Sequence, residues 1–232
     1  GPDKASFHRS SVHSQFQNRS NQLNSTLKHA KHLPNFAELN ILPTIAANEG
    51  NGVLDSAGDF GDNRAAIIAN GIEICKEKTN LRHLVFKDAR LTYTGLAPII
   101  RTIINSRIPI EFCDLSSNNL CLKSCGLLTE LLRHCPTVQS LILSKCNISD
   151  GPLKALAQGI QICDSLSTLD LGSNEISDEG MRHLAAAVSQ SSSLKSLSVS
   201  WNKLRWKGAS MLVKAITQTN LLESLDLSWN GL

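Results

Sequence analysis

Residues 166–176 read LSTLDLGSNEI, and this stretch decides the fold because the chain repeats it. Matching stretches are VQSLILSKCNI at 138–148, LKSLSVSWNKL at 194–204 and LESLDLSWNGL at 222–232. Each begins 28 residues after the one before it. A fixed period of this length indicates an array of stacked structural repeats.

Two earlier frames start at Leu81 and Ile110 and extend the series to six. Within a frame the leucines alternate with other residues, so they point to one face of a short strand. An Asn then follows, and its side-chain amide is suited to bond the backbone of the turn that leaves the strand. Ala89 stands there in the first frame and cannot make this bond. The later positions of this predicted ladder are Asn118, Cys146, Asn174, Asn202 and Asn230.

The segment after each Asn predicts a helix. In residues 177–190 the apolar side chains of Met181, Leu184, Ala185 and Val188 recur at helical spacing. Strands that alternate with helices must be parallel. We therefore expect an α/β fold, a curved solenoid with a parallel concave sheet and helices on the convex side.

The pattern L-x-x-L-x-L-x-x-N-x-L, over roughly residues 60–232, resembles the leucine-rich repeat, and specifically its ribonuclease-inhibitor-like class. The chain is also similar to Tonsoku-type proteins and to ciliary and NLR-type repeat domains. The resemblance implies a solenoid whose exposed strand positions bind partners. It does not choose among the functions that the fold serves.

The sequence divides the chain into three parts. Residues 1–33 are rich in Ser, Asn, Gln and His and predict a flexible lead-in, whose Gly1-Pro2 is typical of a protease scar. Residues 34–80 predict an N-terminal cap and a degenerate repeat. Residues 81–232 hold the clear repeats, and we expect the last one to be truncated, with its leucines left without a covering coil.

The degenerate repeat is inferred from ANGIEIC at 69–75, which echoes AQGIQIC at 157–163. It predicts a helix over residues 63–76 that is capped by Asp62 or Asn63. We expect the strand of this repeat to have been lost.

The sequence carries no motif of a catalytic or cofactor site. It has no Walker loop, no H-E-x-x-H and no G-x-S-x-G, and DFG at 59–61 stands without its kinase partners. Cys121, Cys125, His134 and Cys135 have a vaguely zinc-like spacing, but buried small apolar positions explain the cysteines better. We therefore predict a protein that is not an enzyme and that needs no cofactor or metal.

Net charge, apolar runs and cysteine content limit the kinds of partner and the cellular compartment that we expect. The net charge is only +3, and the exposed strand positions lack a run of Lys and Arg, so direct nucleic-acid binding is disfavoured. No apolar run approaches the roughly 18 residues of a membrane span. The seven cysteines are odd in number and fall mostly at small apolar positions. This predicts reduced thiols and an intracellular protein, cytoplasmic or nuclear.

The strand positions between the core leucines are predicted to line the concave face in three columns. The column before the centre holds His83 and Phe112, and the column after it runs from Lys87 through small polar residues to Ser228. The face is therefore polar and weakly acidic. Its central column is Val85, Asp114, Ile142, Asp170, Ser198 and Asp226.

Two tryptophans occupy the position before the ladder Asn in consecutive frames. Neighbouring parallel strands lie about 4.8 Å apart, so these indoles should form adjacent steps on the rim. A third tryptophan follows in the turn into the next helix and is expected to flank them. The predicted partner-binding residues are Trp201, Trp229, Trp206, Asp114, Asp170, Asp226 and Phe112.

We predict a non-catalytic module that binds a protein or peptide partner, basic in character, on its concave face and tryptophan rim. The structural alternative is that the indoles pack on each other and on Lys203 or Arg205 to shield the turn. The functional alternatives are a GTPase-activating or enzyme-inhibiting leucine-rich-repeat protein, and a histone-linked replication and repair scaffold of Tonsoku type. Stimulated GTP hydrolysis or inhibition of a captured enzyme would identify the former.

Overall fold

The computed structural model describes residues 52–55, 61–76 and 79–232. Strands and helices alternate along these residues. In chain order they are β1 (Val53–Asp55), α1 (Gly61–Cys75), β2 (His83–Val85), α2 (Tyr93–Asn105), β3 (Phe112–Asp114), α3 (Leu122–His134), β4 (Ser140–Ile142), α4 (Asp150–Ile162), β5 (Thr168–Asp170), α5 (Asp178–Val188), β6 (Ser196–Ser198), α6 (Trp206–Thr219) and β7 (Ser224–Asp226).

Within the described residues the strands form one parallel sheet in chain order, β1 to β7. The middle residue of each strand pairs with the middle residue of the next and points into the core. The predicted α/β solenoid with a parallel sheet is confirmed. The buried middle residues are Leu54, Leu84, Cys113, Leu141, Leu169 and Leu197.

The helices cover the other side of this core. In α5 the four apolar residues picked out by spacing, Met181, Leu184, Ala185 and Val188, are all buried. Burying a Leu, Val or Met side chain contributes about 1.5–3 kcal/mol. The buried residues form one continuous cluster along the array. Stability is therefore spread over the contacts between neighbouring coils.

The prediction that the degenerate repeat has lost its strand is wrong. Strand β1 pairs with β2, with Leu54 opposite Leu84. Leu54 is 1 % exposed and is the one leucine of the pattern in this strand, so the repeat is hard to recognise in the sequence. Helix α1 begins at Gly61, so neither Asp62 nor Asn63 is its N-cap.

The predicted lead-in at 1–33 and the part of the predicted cap at 34–51 lie outside the described residues. At the other end, Leu225 and Leu227 are half-buried and pack against the core. Among the described helices, none combines the length and apolar character that a bilayer crossing requires.

Candidate functional site

The asparagine ladder joins consecutive coils where each strand ends. Asn174 Oδ1 accepts hydrogen bonds from the N–H groups of Cys146 and Ile148, at 3.0 and 2.9 Å. Its Nδ2 donates to the carbonyls of Leu143 and Leu171, both at 2.9 Å. One side chain therefore satisfies backbone groups of two coils. The Oδ1 atom accepts two N–H groups in Asn230 and one each in Asn118 and Asn202, and the Nδ2 group of all three donates to carbonyls of two coils.

Cys146 and Ala89 are the two exceptions in this ladder. The Cys146 thiol donates to the Leu115 carbonyl at 3.1 Å, as an amide would. It supplies no amide oxygen, and the N–H of Leu120 bonds the Cys146 carbonyl instead, at 3.0 Å. Ala89 is fully buried and contributes only a methyl group.

The residue before each ladder position has a left-handed backbone in six consecutive coils, with φ between 53° and 58°. A left-handed conformation costs an ordinary residue roughly 1–2 kcal/mol, and Gly adopts it most readily. It is held here by bonds between coils, such as Trp201 N–H to the Ser228 carbonyl at 3.0 Å. We call these six positions the rim slot. They are Asp88, Ser117, Lys145, Ser173, Trp201 and Trp229.

Two tryptophans stack in neighbouring rim slots. The ring centroids of Trp201 and Trp229 are 4.6 Å apart, and the planes are inclined by 14°. Trp201 nevertheless remains 55 % exposed and Trp229 69 % exposed. The next slot holds Ser173, which is too small to cover the second face of Trp201. An aromatic surface is therefore open to solvent at the rim.

Other expected contacts of these indoles are not seen. Trp206 is the first residue of α6 and is 80 % exposed, with no ring contact to the stacked pair in the described part of the chain. Lys203 instead pairs with Glu175. In the same residues the cation–ring contact observed is that of Lys123 over Tyr93, at 5.9 Å. The stacked indoles thus pack on each other, and the described residues show no cation–ring contact between them and Lys203 or Arg205.

The aspartates of the central column stand on alternate strands. Asp114, Asp170 and Asp226 end β3, β5 and β7, and register adds Asp55 of β1, which the sequence analysis missed. In the first three, one carboxylate oxygen accepts the N–H of the residue two further on, at 2.8–2.9 Å. This bond closes an Asx turn. The aspartates therefore shape the strand exit as well as charging the face.

Two features of the concave face differ from expectation. Ser116 and Gly172, in the column after the centre, are buried because the preceding aspartates fold back toward their backbone. Phe112 is half-buried, with its ring tilted by 55° against that of His83 at 5.6 Å. The prediction that the column after the centre is exposed is therefore wrong at Ser116 and Gly172.

The charge of the face near the indoles is negative. Hydrogen bonds from Ser228 and Ser200 hold the pKa of Asp226 below its ordinary value, so this carboxylate is ionised at neutral pH. Lys195 on the neighbouring strand entry pairs with Glu223 at 3.0 Å and adds no net charge.

A link between consecutive helices was also missed. Asp150 in α4 accepts the N–H and the hydroxyl of Ser177, the N-cap of α5, at 2.8 and 2.6 Å. Asp178 likewise accepts the N–H groups of Arg205 and Gly208, both at 2.9 Å. We call Asp62, Asp150 and Asp178 the capping aspartates.

A glycine lies beside each of these carboxylates. A Cβ atom on Gly95, Gly180 or Gly208 would come within 2.3–2.4 Å of the carboxylate oxygen. Two features of the sequence therefore mark this link between helices. One is a Gly three residues after each N-cap, and the other is an Asp in the first turn of the preceding helix.

The zinc-like cysteines do not form a metal site. The described residues contain no group of three or more His, Cys, Asp or Glu placed to hold a metal ion. Burial raises the pKa of Cys125 to about 12 and that of Cys135 to about 11, as expected of thiols inside the core. Cys121 is the exposed member of the set.

A match to a family model agrees with this repeat geometry. A family model described as Leucine Rich repeat matches residues 134–157, 163–185 and 190–213. A search of curated proteins finds no significant match. Among solved structures, actin-binding site 2 of leiomodin-1 aligns with a TM-score of 0.50 and 18 % identity, over 55 % of this chain and 76 % of that one. A pollen receptor kinase 3 aligns with a TM-score of 0.40 and 18 % identity, over 69 % of this chain and 65 % of that one.

Proposed function

Because the chain is a leucine-rich-repeat protein, we propose that it is a non-catalytic interaction module that binds a basic protein or peptide segment. The bound segment lies on the concave face and the tryptophan rim. Side chains on the exposed strand positions and in the rim slot are available for recognition, since the leucines and asparagines are committed to the core and the ladder.

The exposed stack of Trp201 and Trp229 carries this proposal. Two large rings are each more than half exposed, in left-handed backbone positions that cost an ordinary residue roughly 1–2 kcal/mol. Stacking of the two rings returns only about 0.5–1.5 kcal/mol beyond their buried area. Tryptophan is among the residues enriched at interface hot spots, where a partner buries the remaining surface.

The basic character of the partner is supported by the aspartates next to the stack. Asp170 and Asp226 flank the strand that leads to Trp201, and the residue that stands between them in the central column is the neutral Ser198. Lys203 and Lys195 are both paired with glutamates. A positively charged segment therefore gains from steering and from local complementarity at this end of the array.

The experiment compares Trp201→Ser/Trp229→Ser with Trp206→Ser. Serine already occupies two rim slots, at Ser117 and Ser173, so the double variant keeps a residue type that this backbone accepts. Proteins captured by the wild type are identified, and the binding segment of each is synthesised and titrated. We expect the double variant to lose affinity by about thirty-fold or more, while Trp206→Ser changes it little.

Two results would contradict the proposal. One is unchanged affinity in the double variant. The other is a captured segment that is acidic and whose binding strengthens when Asp226 is replaced by Asn.

A further inference from the structure

The row of rim slots leaves a gap over Ser173, between Lys145 and Trp201. The N–H group of each of these three residues donates to a carbonyl of the next coil, at 2.8–3.0 Å. Their φ angles are 57°, 54° and 53°, so the three side chains leave the backbone in nearly the same direction. Trp201 and Trp229, in the same kind of slot, show that rings one coil apart stack without clashing. The space over the small Ser173 side chain therefore has room for one further ring, and we call it the Ser173 gap.

The Ser173 gap is open to solvent. Trp201 is 55 % exposed although Trp229 stacks on one of its faces. Lys203, which follows Trp201 by two residues, pairs with Glu175 and makes no contact with the indole ring among the described residues. Lys145, on the other side of the gap, is exposed and forms no ion pair in the same part of the chain. A ring face and an unpaired cation thus border the same gap.

We propose that the Ser173 gap receives an aromatic side chain of the bound segment, an inference that rests on the proposed function. One face of the incoming ring stacks on Trp201, with the geometry that the two indoles already show. The other face is turned toward Lys145, whose slot lies about 4.8 Å beyond that of Ser173. The lysine ammonium is carried on a flexible stem and can lie within about 6 Å of the ring centroid, the range of a cation–π contact.

The borders of the gap favour a neutral aromatic ring over other groups. An arginine guanidinium also stacks on indoles, but in this gap it would meet the Lys145 ammonium. A nucleobase would stack equally well, but its phosphates would lie near Asp170 and Asp226 on the neighbouring face. An aliphatic side chain would gain neither the stacking nor the cation–π contact. The segment is therefore basic overall and places an aromatic residue at the rim.

This combination of borders occurs once among the six rim slots. Ser117 is the other small residue of the row, and its neighbours are Asp88 and Lys145, neither of which is aromatic. Ser173 alone stands between an indole and a lysine. The Ser173 gap therefore fixes one position of the bound segment along the array.

Ser173→Trp tests the gap, because it places a ring of the protein itself where the ring of the segment should lie. The backbone accepts this change, since two other rim slots carry tryptophan. The probes are the acetylated and amidated peptides Gly-Lys-Phe-Lys-Gly and Gly-Lys-Leu-Lys-Gly and a short oligothymidylate, each titrated into ¹⁵N-labelled protein. Binding is followed by NMR at the Trp201 indole N–H signal and at the ring protons of the phenylalanine peptide. The ¹⁵N spectrum also reports whether each variant is folded.

We expect the phenylalanine peptide to bind about fivefold more tightly than the leucine peptide, with its ring protons shifted upfield by Trp201. Ser173→Trp should reduce this ratio to about one. Lys145→Met, which keeps an unbranched side chain without the charge, should reduce it by about twofold. The control is Asp88→Trp, which adds an indole four slots from Trp201 and should leave the ratio unchanged. A ratio of two peptides of equal charge cancels the general effect of each variant on basic ligands.

Equal affinity for the two peptides, or a preference for phenylalanine that survives in Ser173→Trp, would overturn the aromatic site. Tighter binding of the oligothymidylate than of either peptide, lost in Ser173→Trp, would assign the gap to a nucleobase and overturn it as well. If the aromatic site fails but the tryptophan double variant still loses its protein partner, the proposed function stands without this site. If the double variant keeps the partner, both proposals fall.

Discussion

Asp150 in α4 holds the N–H and the hydroxyl of Ser177, the residue that caps α5, at 2.8 and 2.6 Å. The first N–H groups of a helix have no partner within the helix, and its N-terminus favours negative charge. The carboxylate of one coil thus completes the helix start of the next. Neighbouring coils are therefore joined by directional bonds as well as by apolar packing.

Asp150→Ala should lower the free energy of unfolding by about 1–2 kcal/mol, because Ser177 loses the partner of both its polar groups. Asp178→Ala should have a comparable effect at the start of α6. Urea denaturation measures both. Glu130→Ala, which removes only surface ion pairs, should stay within about 0.5 kcal/mol. Equal effects in all three variants would contradict the role of the capping aspartates.

Asn174→Ala should destabilise the protein by about 1–3 kcal/mol, because buried groups in two coils lose their hydrogen bonds. The side chain of Asn119 is exposed and accepts a hydrogen bond from the Asn147 side chain at 3.5 Å, and its backbone bond to Leu91 does not depend on the side chain. Asn119→Ala is therefore the matched control and should cost less than about 0.5 kcal/mol. Ala89→Asn, at the exceptional slot, should not raise stability by the amount that Asn174→Ala removes. The midpoint and slope of chemical denaturation decide between these outcomes.

The stacked indoles should shift each other's ring-proton NMR signals upfield by ring currents, because the ring centroids lie 4.6 Å apart with the planes inclined by 14°. Trp201→Ser should remove this shift from the Trp229 signals, and Trp229→Ser should remove it from the Trp201 signals. Trp206→Ser should leave both shifts intact. The double variant should remain folded and lose no more than about 1.5 kcal/mol, the upper value for the stacking of the two rings. A large loss of stability with partner binding retained would show that the indoles shield the turn.

Cys121 should be the one thiol of the native protein that iodoacetamide modifies rapidly. Partial burial opposes ionisation, but hydrogen bonds from Ser124 and from nearby backbone N–H groups lower its pKa below the ordinary value. Burial raises the pKa of Cys113 and Cys146 to about 12. Modification of Cys121 should thus begin at a lower pH than for an unperturbed thiol. Mass spectrometry should find one adduct in buffer and seven in denaturant, and Cys121→Ser should remove the first.

Much of the fold follows from the sequence, because leucines at fixed spacing leave few ways to bury them. Strands β2 to β7 lie where the pattern predicts, since each carries the alternating apolar residues. Strand β1 was not predicted because Leu54 is the one leucine of the pattern that it carries. The stack of Trp201 and Trp229 also follows from register, because 28 residues separate them along a regular array.

The remaining features depend on contacts that no single repeat contains. Asp62 looks like a cap for its own helix, yet it bonds Thr92 of the next coil. The Ser198 and Ser200 hydroxyls that lie within 3.5 Å of a Cβ placed on Gly172 belong to the next coil. These contacts depend on the curvature and spacing of the folded array, so the residue pattern within one repeat does not predict them.

The rim slot affects how this surface can evolve by amino-acid substitution. Its backbone shape is held by bonds between coils, so acid, hydroxyl, lysine and indole side chains all occur on the same left-handed frame. Six slots at steps of about 4.8 Å form a line of about 24 Å. Slots two coils apart are distant enough for substitutions to act nearly independently. Single substitutions in this row can therefore change one contact at a time, and a new binding preference can arise without a new fold.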